Sequence, residues 1–439
     1  MYGKRVKRVV TPHSMTAGRK TFAKLTQKDA AEAATRHETL YSGRLGGARA
    51  VFAFTDLSGL DLSGRNLADA DFTGAILAET NLAKARLDSA NFFGADLRRA
   101  NLTQASLRRA DLRGVSLKGA NLTGADMFEA DLREGTIALK DRAGNLQVIQ
   151  HDLGPSELPA ARLQFANLER AKLNGALAIQ ADFTDAMMKN CRLTRANLRQ
   201  ARLSGANLEN ADLSGCNLAG ANLSGAVMVG TRMDMAVLDG ADLSNILTTN
   251  PAEPVPGKPP TNIEAMLDAH IRWVDSNGRE GAPADLTGLD LRRVNGLATR
   301  PLTALIAPKA TLYGMDLEGA ALQGSNLAGA DLRCVRLTGA DLRGVNLCGA
   351  RMTRSDLRDA RLGPLVIDNN RLLPARLERV EARYTDFRGA DIRGASFKGA
   401  DVSYANLRDV HVHDNNFDGA ILTGAKLPQT LVNALIRQL

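Results

Sequence analysis

Aromatic residues are scarce, 4% of the chain with a single tryptophan. That is low for a globular enzyme, whose core draws much of its buried area from such side chains. Cysteines number four and lack the paired spacing of a metal site. No stretch is long and apolar enough to span a membrane. The start, Lys4-Arg5-Val6-Lys7-Arg8 running into Thr11-Pro12-His13, has no apolar run, so no signal peptide is expected. Six histidines are present, none joined by a recognisable acid, thiol or serine arrangement. P-loop and dinucleotide fingerprints are also missing. No catalytic residue, cofactor or metal site is expected, and the protein reads as a non-enzyme. His411-Val412-His413 has no further ligands beside it and reads as a solvated edge.

What the chain has in abundance is a repeat of five. Asp96-Leu97-Arg98-Arg99-Ala100 is followed by Asn101-Leu102-Thr103-Gln104-Ala105, and similar units fill most of the sequence. Five matches neither the helical period nor the strand period. Ala100-Asn101-Leu102 alternates like a short strand, with Ala and Leu facing one side. The next two residues must turn the chain so that Ala105 faces inward again. The second of them is often glycine, as at Gly114, Gly119 and Gly124. A short edge and a fixed corner, repeated, give stacked coils joined by backbone hydrogen bonds about 4.8 Å apart.

These units resemble the pentapeptide repeat family. The resemblance implies an all-β solenoid, a right-handed quadrilateral β-helix with about twenty residues per coil. Leu or Phe takes the central inward position and Ala the position two before it. Cys191 and Cys216 then replace inward Ala, while Cys334 and Cys348 lie outward. All four read as thiols of a reducing, cytoplasmic compartment.

Charges offer a check on twenty, because like charges directly opposed across a sheet are unfavourable. Asp316, Arg336, Asp356 and Arg376 alternate in sign at that spacing, as do Asp341, Arg361 and Glu381. Upstream, Arg162, Asp182 and Arg202 alternate, and so do Arg192, Asp212 and Arg232. Lys172 over Arg192 and Arg351 over Arg371 are exceptions.

The organisation reads as two modules of one design. Residues 1–24 form a disordered basic arm. Residues 25–247 hold a capping helix, with Thr26 as N-cap and an end near Gly43, and the first array. A hairpin insertion at about 138–160 pairs Thr136–Lys140 with Leu146–Gln150. A proline-rich linker covers 248–261. Residues 262–439 hold a second capping helix, an array irregular up to Lys309, and a closing helix over Leu431–Leu439. Array breaks are expected at 138–160 and 246–311. Gly363–Pro374 breaks the motif while keeping its phase, as a looser coil or a bulged loop. His37 and His270 occupy matching places, and each is expected to hydrogen-bond its helix-to-coil turn.

The net charge of +8 is concentrated at one end. Residues 1–28 hold Lys4, Arg5, Lys7, Arg8, Arg19, Lys20, Lys24 and Lys28 and no acid, which leaves 48 basic against 48 acidic residues elsewhere. Such an arm suits weak contact with nucleic acid or with an anionic membrane, at whose periphery the protein would sit. The plain alternative is a solvating tail. Arg98, Arg99, Arg108, Arg109, Arg113 and Lys118 form a second basic band, read as a solvated surface. A scaffold for a protein partner, not identified by sequence, is the function expected. The family also contains DNA mimics that bind type II topoisomerases such as gyrase and confer quinolone resistance. That role implies an acidic rod, which a neutral body and a basic arm do not resemble.

Overall fold

A computed structural model describes residues 22–135, 138–140, 146–148, 155–249, 262–368 and 371–436. The chain divides into two compact units, Met1–Asn250 and Pro251–Leu439.

In the first unit the backbone of one repeat accounts for all of its donors. Asn101 N–H donates to Thr80 O one coil before, at 2.9 Å. Leu102 and Gln104 donate one coil ahead, to Asn121 O at 2.7 Å and Thr123 O at 3.0 Å. Ala105 closes the turn on Leu102 O at 3.0 Å. The remaining N–H, that of Thr103, is taken by the Asn101 side chain at 3.2 Å. Buried backbone donors have to be satisfied, and this explains why Asp or Asn so often precedes the central residue. Its side chain completes a local turn. Gln104 has φ of +58°, and the corresponding residue of the other regular units is likewise left-handed, whether Gly114 or Phe165. Glycine takes that conformation without strain, and the corner imposes it on the others. Leu97, Leu102, Leu107 and Leu112 are fully buried, as expected.

Parallel bridges join residues twenty apart throughout the regular stretches, for example Asn81 to Asn101 and Asn101 to Asn121. Strand β1 (Ala23–Lys24) pairs in parallel with β2 (Thr55–Asp56). Helix α1 (Gln27–Tyr41) lies between them, with Thr26 and Asp29 forming a reciprocal capping box. The hairpin is present as β3 (Ala138–Lys140) antiparallel to β4 (Leu146–Val148); its loop, Asp141–Asn145, lies outside the described residues. Across it the bridge spacing is 41, from Ser116 to Glu157 and from Asn121 to Arg162. The array resumes earlier than expected, since Leu158 is already in the core. Pro159 disguises this unit. It sits where the N–H serves only the local turn, so its loss breaks no coil-to-coil bond.

In the second unit, helix α2 (Ile263–Asp275) is capped by Asn262. The predicted linker lies outside the described residues from Asn250 to Thr261. The expected break up to 311 is too long. Bridges already run from Asp285 to Ile306 and from Pro301 to Ala321, with Leu286, Leu302 and Ala307 buried. One extra residue near the short 3-10 turn Leu297–Thr299 shifts the period and hid the units from Pro301 to Lys309. Pro301 lacks an N–H, but it lies on the first coil of this unit, where no earlier coil among the unit's described residues awaits that donor. Leu327 and Leu332 are buried as expected. The chain closes with α3 (Gln429–Ile436).

Gly363–Pro374 is neither a loose coil nor neutral in register. It contains a hairpin, β5 (Leu365–Asp368) antiparallel to β6 (Arg371–Leu373). Beyond it the bridges join residues thirty apart: Asn346 to Arg376, Arg351 to Glu381, Asp356 to Asp386 and Arg361 to Asp391. Ten extra residues keep a period of five while displacing one of twenty. Asp356 therefore opposes Asp386 rather than Arg376, and Arg361 opposes Asp391 rather than Glu381. The supposed clash of Arg351 with Arg371 is instead an Arg351–Glu381 pair at 3.5 Å. Upstream of the hairpin the charge ladder holds. Asp341 binds Arg361 at 2.5 Å, and Asp316 binds Arg336 through a bidentate fork.

Candidate functional site: the basic segment and the edge of the first coil

Of the eight basic residues at the start, Lys4, Arg5, Lys7, Arg8, Arg19 and Lys20 lie outside the described residues. Lys24 and Lys28 are placed: Lys28 lies on the expected helix, whereas Lys24 lies in a strand and shortens the expected arm. Lys24 belongs to β1 and pairs in register with Asp56. Leu25 N–H donates to Asp56 O at 2.9 Å. Among the described residues no coil precedes the first, and its backbone edge takes up the chain just before α1. Burial opposes ionisation of Asp56, but hydrogen bonds from Ser58 and the charge of Lys24 keep its carboxyl below the ordinary value. Lys28 lies on α1, its ammonium 3.9 Å from Glu32, both side chains well exposed.

Side chains of α1 and its following loop occupy the rest of that edge. Gln27 imitates a strand residue: its amide donates to Asp61 O at 2.7 Å and accepts Asp61 N–H at 2.8 Å. Glu38 accepts Asn66 N–H at 3.0 Å and pairs with Arg65 at 2.8 Å. The Arg65 hydrogen bond holds the Glu38 carboxyl below its usual range, against a smaller burial effect. Arg49 donates to Asp69 O at 2.6 Å. The Tyr41 hydroxyl donates to Asp69, and burial together with that acid pushes the phenol up to about 12.

His37 is fully buried between helix and coil. Its Nδ1 accepts Ala50 N–H at 3.0 Å and its Nε2 meets Ala68 O at 2.8 Å. That pairing requires the neutral ring with the proton on Nε2. In the second unit, His270 Nδ1 accepts Ala284 N–H at 3.1 Å. Its Nε2 has no hydrogen-bond partner among the described residues. Thr303 holds the same place in its coil as Ala68 does in the first. Each ring packs on an aromatic of its own helix, Tyr41 at 4.9 Å and Trp273 at 5.7 Å between centroids. The expected helix-to-coil role of both histidines is what the geometry displays. Gln27, Glu38 and Arg49 carried no sequence signal, because their partners lie 20 to 34 residues away.

The arginine band is neutralised from within. Arg98 pairs with Asp96 at 2.6 Å, Arg99 with Glu79 at 2.5 Å and Arg108 with Asp126 at 2.8 Å. Arg109 pairs with Glu129 at 3.0 Å and Arg113 with Asp111 at 2.7 Å. In Asp-Leu-Arg units such as Asp96–Arg98 the acid also takes the arginine N–H, at 3.1 Å. A recess of about 280 Å³ lined by Arg86, Arg108 and Arg109 also holds Asp69 and Asp88. In this band the acids Asp96, Glu79, Asp126, Glu129 and Asp111 each face an arginine. Among the described residues no three His, Cys, Asp or Glu side chains gather as metal ligands. None of the described helices is long and apolar enough to cross a membrane.

The family model for pentapeptide repeats matches residues 55–133, 161–245, 310–363 and 375–431, in overlapping copies. Among solved structures, a pentapeptide repeat protein from the cyanobacterium Cyanothece 51142 is similar at 28% identity. The match covers 31% of this chain and 90% of that one, with a TM-score of 0.23. HetL of Nostoc sp. strain PCC 7120, a pentapeptide repeat protein involved in heterocyst differentiation regulation, matches at 22% identity. There the coverage is 89% of this chain and 92% of that one, with a TM-score of 0.12. QnrB1, a plasmid-mediated fluoroquinolone resistance protein, matches at 19% identity over 45% of this chain and 83% of that one, with a TM-score of 0.19. No curated protein matches the chain.

Proposed function

The chain belongs to the pentapeptide repeat family, a family of right-handed β-helix solenoids, and from that premise we propose a non-enzymatic scaffold with a tether. Its coils are four-sided, one pentapeptide to a side. They form two modules, each opened by a helix that caps the first coil. The coil faces hold a protein partner, and the basic N-terminal segment attaches the molecule to an anionic surface in the cytoplasm, an acidic membrane or nucleic acid. The observation that carries the tether is the distribution of charge. Five of the six basic residues in the Arg98–Lys118 band already hold acids of their own module, whereas the net excess of +8 equals the charge of residues 1–28.

Deleting residues 1–21 tests this. The deletion removes six of the eight charges and spares β1 and α1. Each basic residue beside an anionic bilayer contributes on the order of 1 kcal/mol, and phosphate binding falls steeply with salt. The intact chain should be held by heparin and by phosphatidylserine vesicles at low salt. It should be released once the Debye length falls well below about 10 Å. The truncated chain should flow through with an unchanged melting temperature. Equal retention of both would move the binding surface to the coils.

A further inference from the structure

Each cap helix is fastened by a histidine that works only while its ring is neutral. His37 of α1 and His270 of α2 are fully buried, and each accepts a backbone N–H at Nδ1, from Ala50 at 3.0 Å and from Ala284 at 3.1 Å. A protonated imidazole carries an N–H on both nitrogens and has nothing left to accept with. Protonation therefore sets the Nδ1–H against the amide N–H it now holds. A glutamine oxygen accepts such an N–H at any pH, whereas histidine loses its accepting nitrogen just below neutrality.

A protonated ring also finds no acid at either place. Among the described residues the histidine that pairs with a carboxylate is His413, with Asp414 at 3.1 Å. On α1 and its coil, Glu38 pairs with Arg65, Asp69 receives the Tyr41 hydroxyl, and Arg49 donates to the Asp69 carbonyl; Asp29, Glu32 and Arg36 are exposed. On α2 and its coil, Glu264 pairs with Arg300 at 2.7 Å and Asp290 with Arg292 at 2.5 Å. Asp268, Arg272, Asp275 and Asp285, with Arg279 and Glu280 of the loop after α2, are exposed.

The two latches differ in reinforcement. α1 is backed by β1, Gln27, Glu38 and the Nε2 contact of His37 with Ala68 O. α2 has the Glu264–Arg300 pair and one fully buried apolar side chain, Leu267, which shares a core with Leu286 and Leu291 of the first coil. The Nε2 of His270, which carries the proton when Nδ1 accepts, has no partner among the described residues.

We propose that α2 is an acid-released cap: protonation of His270 frees the helix and uncovers the first coil of the second unit, while α1 stays docked. An undocked histidine protonates near pH 6.5, and the docked ring resists. The released fraction thus rises as pH falls below 6.5, by up to about tenfold per pH unit. The latch is independent of the basic segment and of a partner on the coil faces.

The test uses the full chain at about pH 7.5 and about pH 5.0, either side of the imidazole range. Trp273, the single tryptophan, lies on α2 with its ring 5.7 Å from that of His270, so release should move its emission maximum to the red. Hydrogen exchange in Ile263–Asp275, corrected for the intrinsic dependence of exchange on pH, should rise at least about tenfold at the lower pH. Peptides of Gln27–Tyr41 should stay protected. His270→Gln offers an oxygen to the Ala284 N–H and takes up no proton, so both signals should become flat with pH. Glu264→Gln, which removes the other titratable group of the contact, should keep the acid response. Full protection of α2 at about pH 5.0 overturns the proposal, as does an unaltered acid response in His270→Gln or its loss in Glu264→Gln. Release of α1 at the same pH overturns the assignment to α2.

Discussion

Replacing His37 by Phe keeps an aromatic ring against Tyr41 and removes both ring nitrogens. Two buried backbone groups then lose their partners, Ala50 N–H and Ala68 O. Each buried group left unsatisfied costs about 1–3 kcal/mol, so the joint cost is about 2–6 kcal/mol. His270→Phe strands only Ala284 N–H, since Nε2 of His270 makes no full hydrogen bond. Its cost should be about half, roughly 1–3 kcal/mol. The assay is hydrogen exchange by mass spectrometry on the full chain, which reads each helix and first coil separately. Peptides spanning Gln27–Tyr41 and Ala50 should exchange at least about tenfold faster in His37→Phe, because about 1.4 kcal/mol is a factor of ten. Peptides of Ile263–Asp275 should respond less to His270→Phe. Unchanged protection at Ala50, or a larger effect at His270 than at His37, would refute the claim that these rings fasten helix to coil.

Other outcomes follow from the same geometry. Leu102→Asp buries a carboxylate with no partner and should unfold at least its own coil, while Thr103→Asp, on the half-buried outer side, should shift the urea midpoint little. Asp341, whose side chain is 5% exposed, holds Arg343 at 2.7 Å, Arg361 at 2.5 Å and Gln323 at 2.8 Å. Asp341→Asn should therefore cost about 1.5–3 kcal/mol. By contrast Asp316→Asn, with the side chain 60% exposed, should cost about 0–1 kcal/mol by urea melts. Burial lowers the His270 pKa below 6.5, against a smaller effect of the Thr303 backbone. The unfolded chain thus binds its proton first, so this contribution is complete above pH 6.5 and is lost as pH falls below it. His270→Phe should flatten that acid limb of the melting curve. An identical slope in both proteins would count against a neutral buried ring.

A period of five with leucine at its centre is a local property, written in every unit, so the sequence alone determined the inward set Leu97 to Leu112 and the stacking of coils. It also placed both helices, the first through Thr26, which acts within one turn of its own chain, and the second because its pattern repeats the first; the caps Asp29 and Asn262 were seen only in the structure. Charge alternation at twenty located Asp341 beside Arg361, since regular chain connects them. What lies beyond an insertion was settled only by the tertiary structure. Ten residues are invisible to a pattern of five, yet they turn the coil half a circuit and set Asp356 against Asp386. A single extra residue near Leu297 had the opposite effect and concealed coils that are present. The edge of the first coil was beyond sequence for a related reason. Its open N–H and C=O groups take whichever side chains the fold delivers, and Gln27, Glu38 and His37 reach them across 13 to 34 residues. Aspartate before leucine was legible as a charge, but its first duty, taking the N–H two residues on, appears only once the corner is built.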